Sequence, residues 1–369
     1  MSAPARLAVF FAFSGAGGVE RMMLNLLGGI RAARPALTVD LLAVKAHNLP
    51  RERLPEGVTL VDLGVRHSTL AALALARYLR GCRPNALLAA KDRAIRSAVL
   101  ARGLSGVDTR LVGRLGTNFS AALDSRSAAA RLLRRLPMRR CYRRLDRVVA
   151  VSEGVAEDTR RITELPASKV TVIRNPVITA ALARLAAEPV MHPWLCSPTA
   201  PVILGAGRLT RQKDFPTLIH AFARLRRERP AKLVILGEGK DRRALQALTA
   251  ELGIGADVDL VGHVSNPYAW MAKADLFVLS SIWEGSPNVL TEAMACGTPA
   301  LATDCPSGPR ELFADGRYGL LVALGDAAAM ATAMSQVLDS PPPAGELREA
   351  VREYSVEVSA ECYLQVLGL

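Results

Sequence analysis

Ser280-Ser281-Ile282-Trp283-Glu284-Gly285-Ser286-Pro287-Asn288-Val289-Leu290-Thr291-Glu292-Ala293 is the stretch that decides how this chain reads. A short apolar run, 276–279, precedes it and reads as a buried strand. Ser286-Pro287 marks a helix start. Ala293-Met294-Ala295-Cys296-Gly297-Thr298-Pro299 then ends the helix at a glycine and enters the next strand. Two carboxylates eight positions apart thus flank one strand-to-helix turn. Glu284 lies at the strand exit and Glu292 in the first turns of the helix. In an open α/β sheet such turns border the ligand crevice, and a carboxylate binding a ribose diol is common nucleotide chemistry. Glu292 also reads simply as an acid favoured by the helix macrodipole.

Upstream, Gly205-Ala206-Gly207-Arg208-Leu209-Thr210-Arg211-Gln212-Lys213-Asp214 follows another strand and opens a helix near Phe215-Pro216. Arg208 and Lys213, five apart on one loop, can converge on a diphosphate and stabilise a leaving nucleotide. The alternative is two solvated surface cations. Near the start, Ser14-Gly15-Ala16-Gly17-Gly18-Val19-Glu20-Arg21 is a third strand-to-helix loop, whose glycines admit an anion close to the backbone. A tight turn explains it equally well.

Around these loops, apolar runs alternate with amphipathic stretches. Runs 7–13, 38–44, 86–90, 110–113 and 147–151 form one series of strands. Runs 202–206, 232–236, 258–261, 276–279, 300–303 and 319–322 form a second. This βαβ punctuation predicts parallel sheets covered on both faces. The 369 residues exceed what one core usually supports. The expected division is an N-terminal domain over 1–180, a Pro-rich linker over 181–200 and a C-terminal domain over 201–350. A terminal helix over 351–369 would pack back on the first domain. Six cysteines without C-x-x-C or zinc spacing read as reduced thiols. Run 7–13 is too short to span a bilayer and lacks a cleavage pattern, which places the protein in the cytoplasm. A net charge of +13 suits nucleic acid, an anionic membrane or a phosphorylated substrate. With only 5% aromatics and no helix-turn-helix, RRM or zinc motif, nucleic acid is not expected.

E-G-S-P-N-V-L-T-E-A-M-A-C-G-T-P strongly resembles the E-x7-E motif of retaining glycosyltransferases of family 4, of GT-B fold. G-R-L-x-x-x-K at 207–213, V-S-E-G-V at 151–155, I-R-N-P-V at 173–177, L-G-E-G at 236–239 and G-H-V at 262–264 support the resemblance. D-C-P-S-G-P-R-E at 304–311 looks like members that build bacterial surface polysaccharides, often from UDP-sugars. The resemblance implies two Rossmann-like domains facing across a cleft, the first binding the acceptor and the second the nucleotide-sugar. It implies that Arg208 and Lys213 bind the donor diphosphate, that Glu292 holds the donor ribose and that Glu284 faces the transferred sugar. Gly17 and Gly18 would lie near the phosphates and Val264 near the nucleobase. Asn288, Val289, Leu290 and Thr298 would line the same pocket, mainly through backbone or small polar contacts. No metal or other cofactor is implied, and Asp257-Val258-Asp259 reads as a turn at a strand entry rather than a metal motif.

One departure stands out. Where many members carry a histidine after the fourth strand, this chain has Lys91-Asp92-Arg93. Lys91 or Asp92 would occupy that space, or simply start a charged loop. Arg114 and Asn118 are further candidates for acceptor contact. The implied activity is transfer of a sugar from a nucleotide-sugar, with UDP favoured, to a lipid-linked or polysaccharide acceptor. The alternatives are an epimerase or hydrolase of the same fold, and a non-catalytic sugar-nucleotide-binding protein.

Arg126, Arg131, Arg134, Arg135, Arg139, Arg140, Arg143, Arg144 and Arg147 form a basic cluster interleaved with Leu132, Leu133, Leu136 and Met138. Such a segment suits the anionic inner face of a cytoplasmic membrane. A solvated Arg-rich helix face is the plainer reading.

Overall fold

The computed structural model describes residues 4–12, 18–44, 46, 49, 51–65, 71–120 and 136–369. Gly17 and Arg126, Arg131, Arg134 and Arg135 lie outside the described residues. The chain forms two compact units. The first comprises Met1–Val177 with Tyr354–Leu369, the second Ile178–Glu353.

The first unit holds a seven-stranded parallel sheet in the order β3-β2-β1-β4-β5-β6-β7. Its strands are β1 (Arg6–Ala12), β2 (Thr38–Val44), β3 (Val58–Asp62), β4 (Ala86–Ala90), β5 (Arg110–Leu115), β6 (Arg147–Ala150) and β7 (Val170–Val172). The sequence reading finds five of these and misses β3 and β7. Both are edge strands, β3 exposed at Thr59 and Asp62 and β7 only three half-buried residues long, so neither shows the continuous buried run of a central parallel strand. Helices α1 (Gly18–Ala33), α2 (Ala72–Cys82) and α3 (Asp92–Ser105) cover the sheet.

The second unit holds a six-stranded parallel sheet in the order β10-β9-β8-β11-β12-β13. Its strands are β8 (Val202–Ala206), β9 (Lys232–Leu236), β10 (Val258–Gly262), β11 (Leu276–Leu279), β12 (Ala300–Thr303) and β13 (Leu320–Val322). All six expected strands are present within one residue at each end. Each sheet reverses its strand order once, between β1 and β4 and between β8 and β11. Loops at the carboxyl ends of strands flanking such a reversal are where open α/β sheets bind ligands.

Residues 181–200 are not a free linker. Leu182–Ala186 and Pro193–Cys196 are helical. Asn266 Nδ2 donates to Leu185 O and Glu188 Oε2, both at 2.8 Å. His192 packs between Trp194 and Trp270 and reaches Asp259 Oδ2 at 3.2 Å. The prolines end these short helices without preventing their burial, so the segment is built into the second unit. The C-terminal stretch breaks at Arg352–Tyr354 and resumes as the helix Val356–Leu367, which lies on α1. A Cβ at Gly29 would fall 2.5 Å from Val356 Cγ1, so the missing side chain is what permits the approach.

Asp257 is engaged in two ion pairs, and Asp259 lies against His192. Asp257 accepts from Arg226 Nε at 2.8 Å and Lys232 Nζ at 2.7 Å. Burial alone would raise the Asp257 carboxyl, but the hydrogen bonds from Lys232 and Arg226 outweigh it and hold the group below its ordinary range. A depressed folded-state value means the contribution is present above the unfolded pKa of about 4 and lost as the pH falls through the folded one. The melting-temperature gap between wild type and Asp257→Asn should therefore be full at neutral pH and close on acidification below about 4. A gap that stays constant down to pH 2 would contradict the assignment.

All six cysteines are free thiols. Burial pushes Cys296 and Cys305 up to about 12, and Cys141 up to about 11. Thiolate is the reactive form, so these three should resist a thiol reagent at neutral pH while exposed Cys82 and Cys196 react first. Mass spectrometry after brief iodoacetamide labelling checks the order. No described helix is long and apolar enough to cross a membrane.

Candidate active site

The loops after β8 and β11 are tied together by backbone and side chain. Ile282 N donates to Gln212 O at 2.8 Å, and Gln212 Nε2 donates to Trp283 O at 2.9 Å. Ser280 Oγ donates to Lys213 O at 2.7 Å. These bonds bring two side chains 71 residues apart into contact: Lys213 Nζ donates to Glu284 Oε1 at 2.6 Å. The Ser281 hydroxyl donates to the same oxygen at 2.7 Å. Both charged groups are largely buried, the lysine side chain 16% and the glutamate 9% exposed. Such a pair survives desolvation only with this degree of added hydrogen bonding. Gln212, Ser280 and Ser281 were not singled out from the sequence. Only Ser280 and Ser281, standing directly at the end of a strand, gave any signal.

The loops after β9 and β10 extend the row. Gly207 N donates to Leu236 O and Leu209 N to Glu238 O, both at 2.9 Å, while Gly237 N donates to Gly262 O at 2.7 Å. The L-G-E-G segment therefore lies directly against the G-R-L segment. A Cβ at Gly237 would fall 2.0 Å from Gly207 O, and one at Gly239 2.2 Å from Leu209 O. Val264 follows Gly262 in the loop after β10 and is half-buried.

Arg208 is exposed, and its guanidinium makes no hydrogen bond or ion pair among the described residues. It sits on the same loop as Lys213. Glu292 is buried in the middle of the helix Asn288–Cys296, where Tyr268 OH reaches its Oε1 at 3.5 Å. That helix has no side-chain cap at its N-terminus, so its first-turn amides and dipole present positive potential beside the Glu284 loop. Asn288 and Val289 are half-buried there.

The other two residues expected at the pocket keep their side chains in the interior. Leu290 is fully buried, and its N–H is donated to Pro287 O at 2.9 Å. Thr298 stands beyond the opposite end of the same helix, where its hydroxyl donates to Met271 O at 2.6 Å. The nine-residue helix separates it from the Glu284 end by about 12 Å of axial rise.

In the first unit, Lys91 directly follows β4. Its ammonium lies 3.9 Å from Glu20 Oε1 and 4.5 Å above the Phe11 ring. Asp92 does not join it. Its carboxylate accepts from Tyr142 OH at 3.1 Å and pairs with Arg96, so it is consumed within the unit. Arg114 is buried and donates to Asn175 Oδ1 at 2.6 Å, and Asn118 is buried as well. The positive charge of Arg114 lies near the buried Tyr363 of the C-terminal helix and partly offsets the rise that burial imposes on that hydroxyl. Of the basic cluster, Arg139 and Arg143 pair with Glu164, while Arg140 and Arg144 are exposed. Gly18 begins α1.

Two parallel sheets, each with one order reversal and with its polar residues at carboxyl-end loops, define the GT-B class. Solved structures agree on the fold. The lipopolysaccharide outer core galactosyltransferase WaaB matches with TM-score 0.75, 20% identity and 99% of each chain covered. Anabaena Alr3699/HepE in complex with UDP matches with TM-score 0.78, 17% identity and the same coverage.

Residues 16–181 match the model of Glycosyltransferase Family 4, and residues 193–358 that of Glycosyl transferases group 1. The chain belongs to this family of GT-B glycosyltransferases. Among curated relatives, the Campylobacter jejuni N-acetylgalactosamine-N,N'-diacetylbacillosaminyl-diphospho-undecaprenol 4-alpha-N-acetylgalactosaminyltransferase is 35% identical, over 54% of this chain and 52% of its own. Rhizobium meliloti LpsE, a lipopolysaccharide core biosynthesis glycosyltransferase, is 33% identical over 62% of this chain and 65% of its own. The chain thus spans less than two thirds of these relatives.

Proposed function

We propose that the protein is a retaining, metal-independent glycosyltransferase. It moves a sugar from a UDP-sugar to a lipid-linked or polysaccharide acceptor in bacterial surface-glycan synthesis. The observation that carries this reading is the Lys213–Glu284 contact at the order reversal of the second sheet. There Glu284 faces the sugar and positions the lysine, while Lys213 and Arg208 with the uncapped Asn288 helix meet the diphosphate. Glu292 holds the ribose. These cations supply the charge that a metal would otherwise provide. The C. jejuni relative's name specifies a diphospho-undecaprenol acceptor, and HepE was solved with UDP. Both relatives support the substrate classes proposed.

The reaction is a front-face displacement. The bond from the anomeric carbon to the diphosphate breaks, and the acceptor oxygen bonds to that carbon from the same face. The acceptor proton passes to an oxygen of the departing diphosphate. No protein nucleophile is required, and Glu284 is a positioning group for donor and lysine. The remaining basic cluster with exposed Arg140 and Arg144 suits peripheral attachment to an anionic membrane.

Thermal shifts with UDP-, GDP- and ADP-sugars test the donor, with stabilisation expected for a UDP-sugar alone. Acceptor-dependent UDP release, with the product's anomeric configuration read by NMR, tests the reaction. Release without acceptor would favour the epimerase or hydrolase, and an inverted product would end the retaining assignment.

A further inference from the structure

The order reversal of the first sheet also carries a lysine beside a buried carboxylate. Phe11 lies near the carboxyl end of β1, Glu20 in the first turn of α1 and Lys91 directly after β4. The strands flanking the reversal are β1 and β4, just as β8 and β11 flank the Lys213–Glu284 pair. The motif that supplies Glu20, G-G-V-E-R, was read from the sequence for its glycines alone.

Three observations set Lys91 apart from an ordinary surface lysine. Its backbone has φ +76° and ψ 145°, a conformation that L side chains rarely adopt, at a position glycine would fill without strain. The strain is held by Lys91 N donating to Arg114 O at 3.1 Å and Ile95 N donating to Lys91 O at 3.0 Å. Glu20 is only 6% exposed, and a buried carboxylate facing an ammonium at 3.9 Å orients that ammonium. The lysine side chain is 44% exposed above the Phe11 ring, so its outer face meets solvent at the mouth of the reversal. The neighbouring acid, Asp92, is engaged by Tyr142 and Arg96 and does not compete for it.

We propose that Lys91 binds a phosphoryl group of the acceptor and that Glu20 is its positioning residue. A compact, oriented, half-exposed ammonium recognises phosphate as a point charge. This deepens the reading under which the first unit receives the acceptor, and selects a phosphorylated, lipid-linked acceptor over a neutral glycan.

The test is isothermal titration of the full chain with geranyl diphosphate at saturating UDP, which fills the donor's diphosphate site, with geraniol as the neutral control. Wild type should bind the diphosphate and not the alcohol. Lys91→Met and Glu20→Gln should each weaken binding about tenfold or more. Lys91→Arg should retain part of it. Lys91→Gly relieves the backbone strain but strands the buried Glu20 carboxylate, so Lys91→Gly combined with Glu20→Gln should keep at least the melting temperature of Lys91→Met combined with Glu20→Gln and still lose binding, a split that a purely structural lysine would not produce. Unchanged affinity in Lys91→Met, or wild type binding geraniol as well as geranyl diphosphate, overturns the proposal. So does wild type that fails to bind geranyl diphosphate. Absence of a thermal shift with UDP would instead count against the donor site, and the titration would then be run without UDP.

Discussion

Glu284→Gln should lower turnover roughly 100-fold, the scale seen when one preorganised electrostatic contact is removed from an active site. The substitution preserves volume and removes the charge. Glu284 Oε1 accepts from both Lys213 Nζ and Ser281 Oγ. The amide keeps an acceptor for one of them but leaves the lysine without its counter-charge in a largely buried setting. Breaking a buried pair from one side costs about 3–5 kcal/mol, and the partial exposure of Lys213 puts the expected loss here nearer 2–3 kcal/mol. Two effects are therefore expected, and a double-mutant cycle separates them. Lys213→Met combined with Glu284→Gln removes the stranded charge, so stability should return toward wild type while activity stays lost. Urea denaturation and steady-state kinetics on the four proteins read both. A folded Glu284→Gln enzyme with wild-type turnover would refute the role given to this carboxylate.

Gly237→Ala should be among the most destabilising single substitutions in the second unit, by about 4 kcal/mol or more. Its added Cβ would fall 2.0 Å from Gly207 O, which is backbone and cannot swing aside as a side-chain tip could. The residue also sits at φ +131°, so alanine is strained there even before the clash. Relief requires the G-R-L and L-G-E-G loops to separate, which breaks the bonds from Gly207 N to Leu236 O and from Leu209 N to Glu238 O. The Lys213 loop would shift with them, and nucleotide binding should fall with stability. Gly103→Ala is the internal control. Gly103 lies inside α3 with nothing within 4 Å of its would-be Cβ. The same chemical change there should stabilise by about 0.5–1 kcal/mol. Equal effects at the two positions would mean that the loop contact is not as tight as described.

The strand pattern of both units was legible because buried parallel strands are short continuous apolar runs, a property of neighbouring residues alone. β3 escaped because only one of its five residues is buried, and β7 because its three half-buried residues are too few for a continuous apolar run. Residues 181–200 looked like a linker because proline content is local, whereas the burial of His192 between Trp194 and Trp270 is not. The resemblance put Thr298 and Leu290 at the pocket together with Asn288 and Val289. Helical rise carried one to the far end, and the core claimed the side chain of the other.

By itself, the sequence determined the α/β class, the loops that carry polar chemistry and the identity of the charged residues on them. Tertiary structure alone decided which of those charges meet. Lys213 and Glu284 leave different strands, and only the reversal of strand order makes β8 and β11 neighbours and closes their loops to 2.6 Å. Lys91 reaches Glu20 by the equivalent pairing of β1 with β4, while Asp92, one residue further on, is engaged by Tyr142 and Arg96. Composition and spacing are properties of the chain, but a contact between side chains depends on sheet order, and sheet order is settled by the packing of the whole unit.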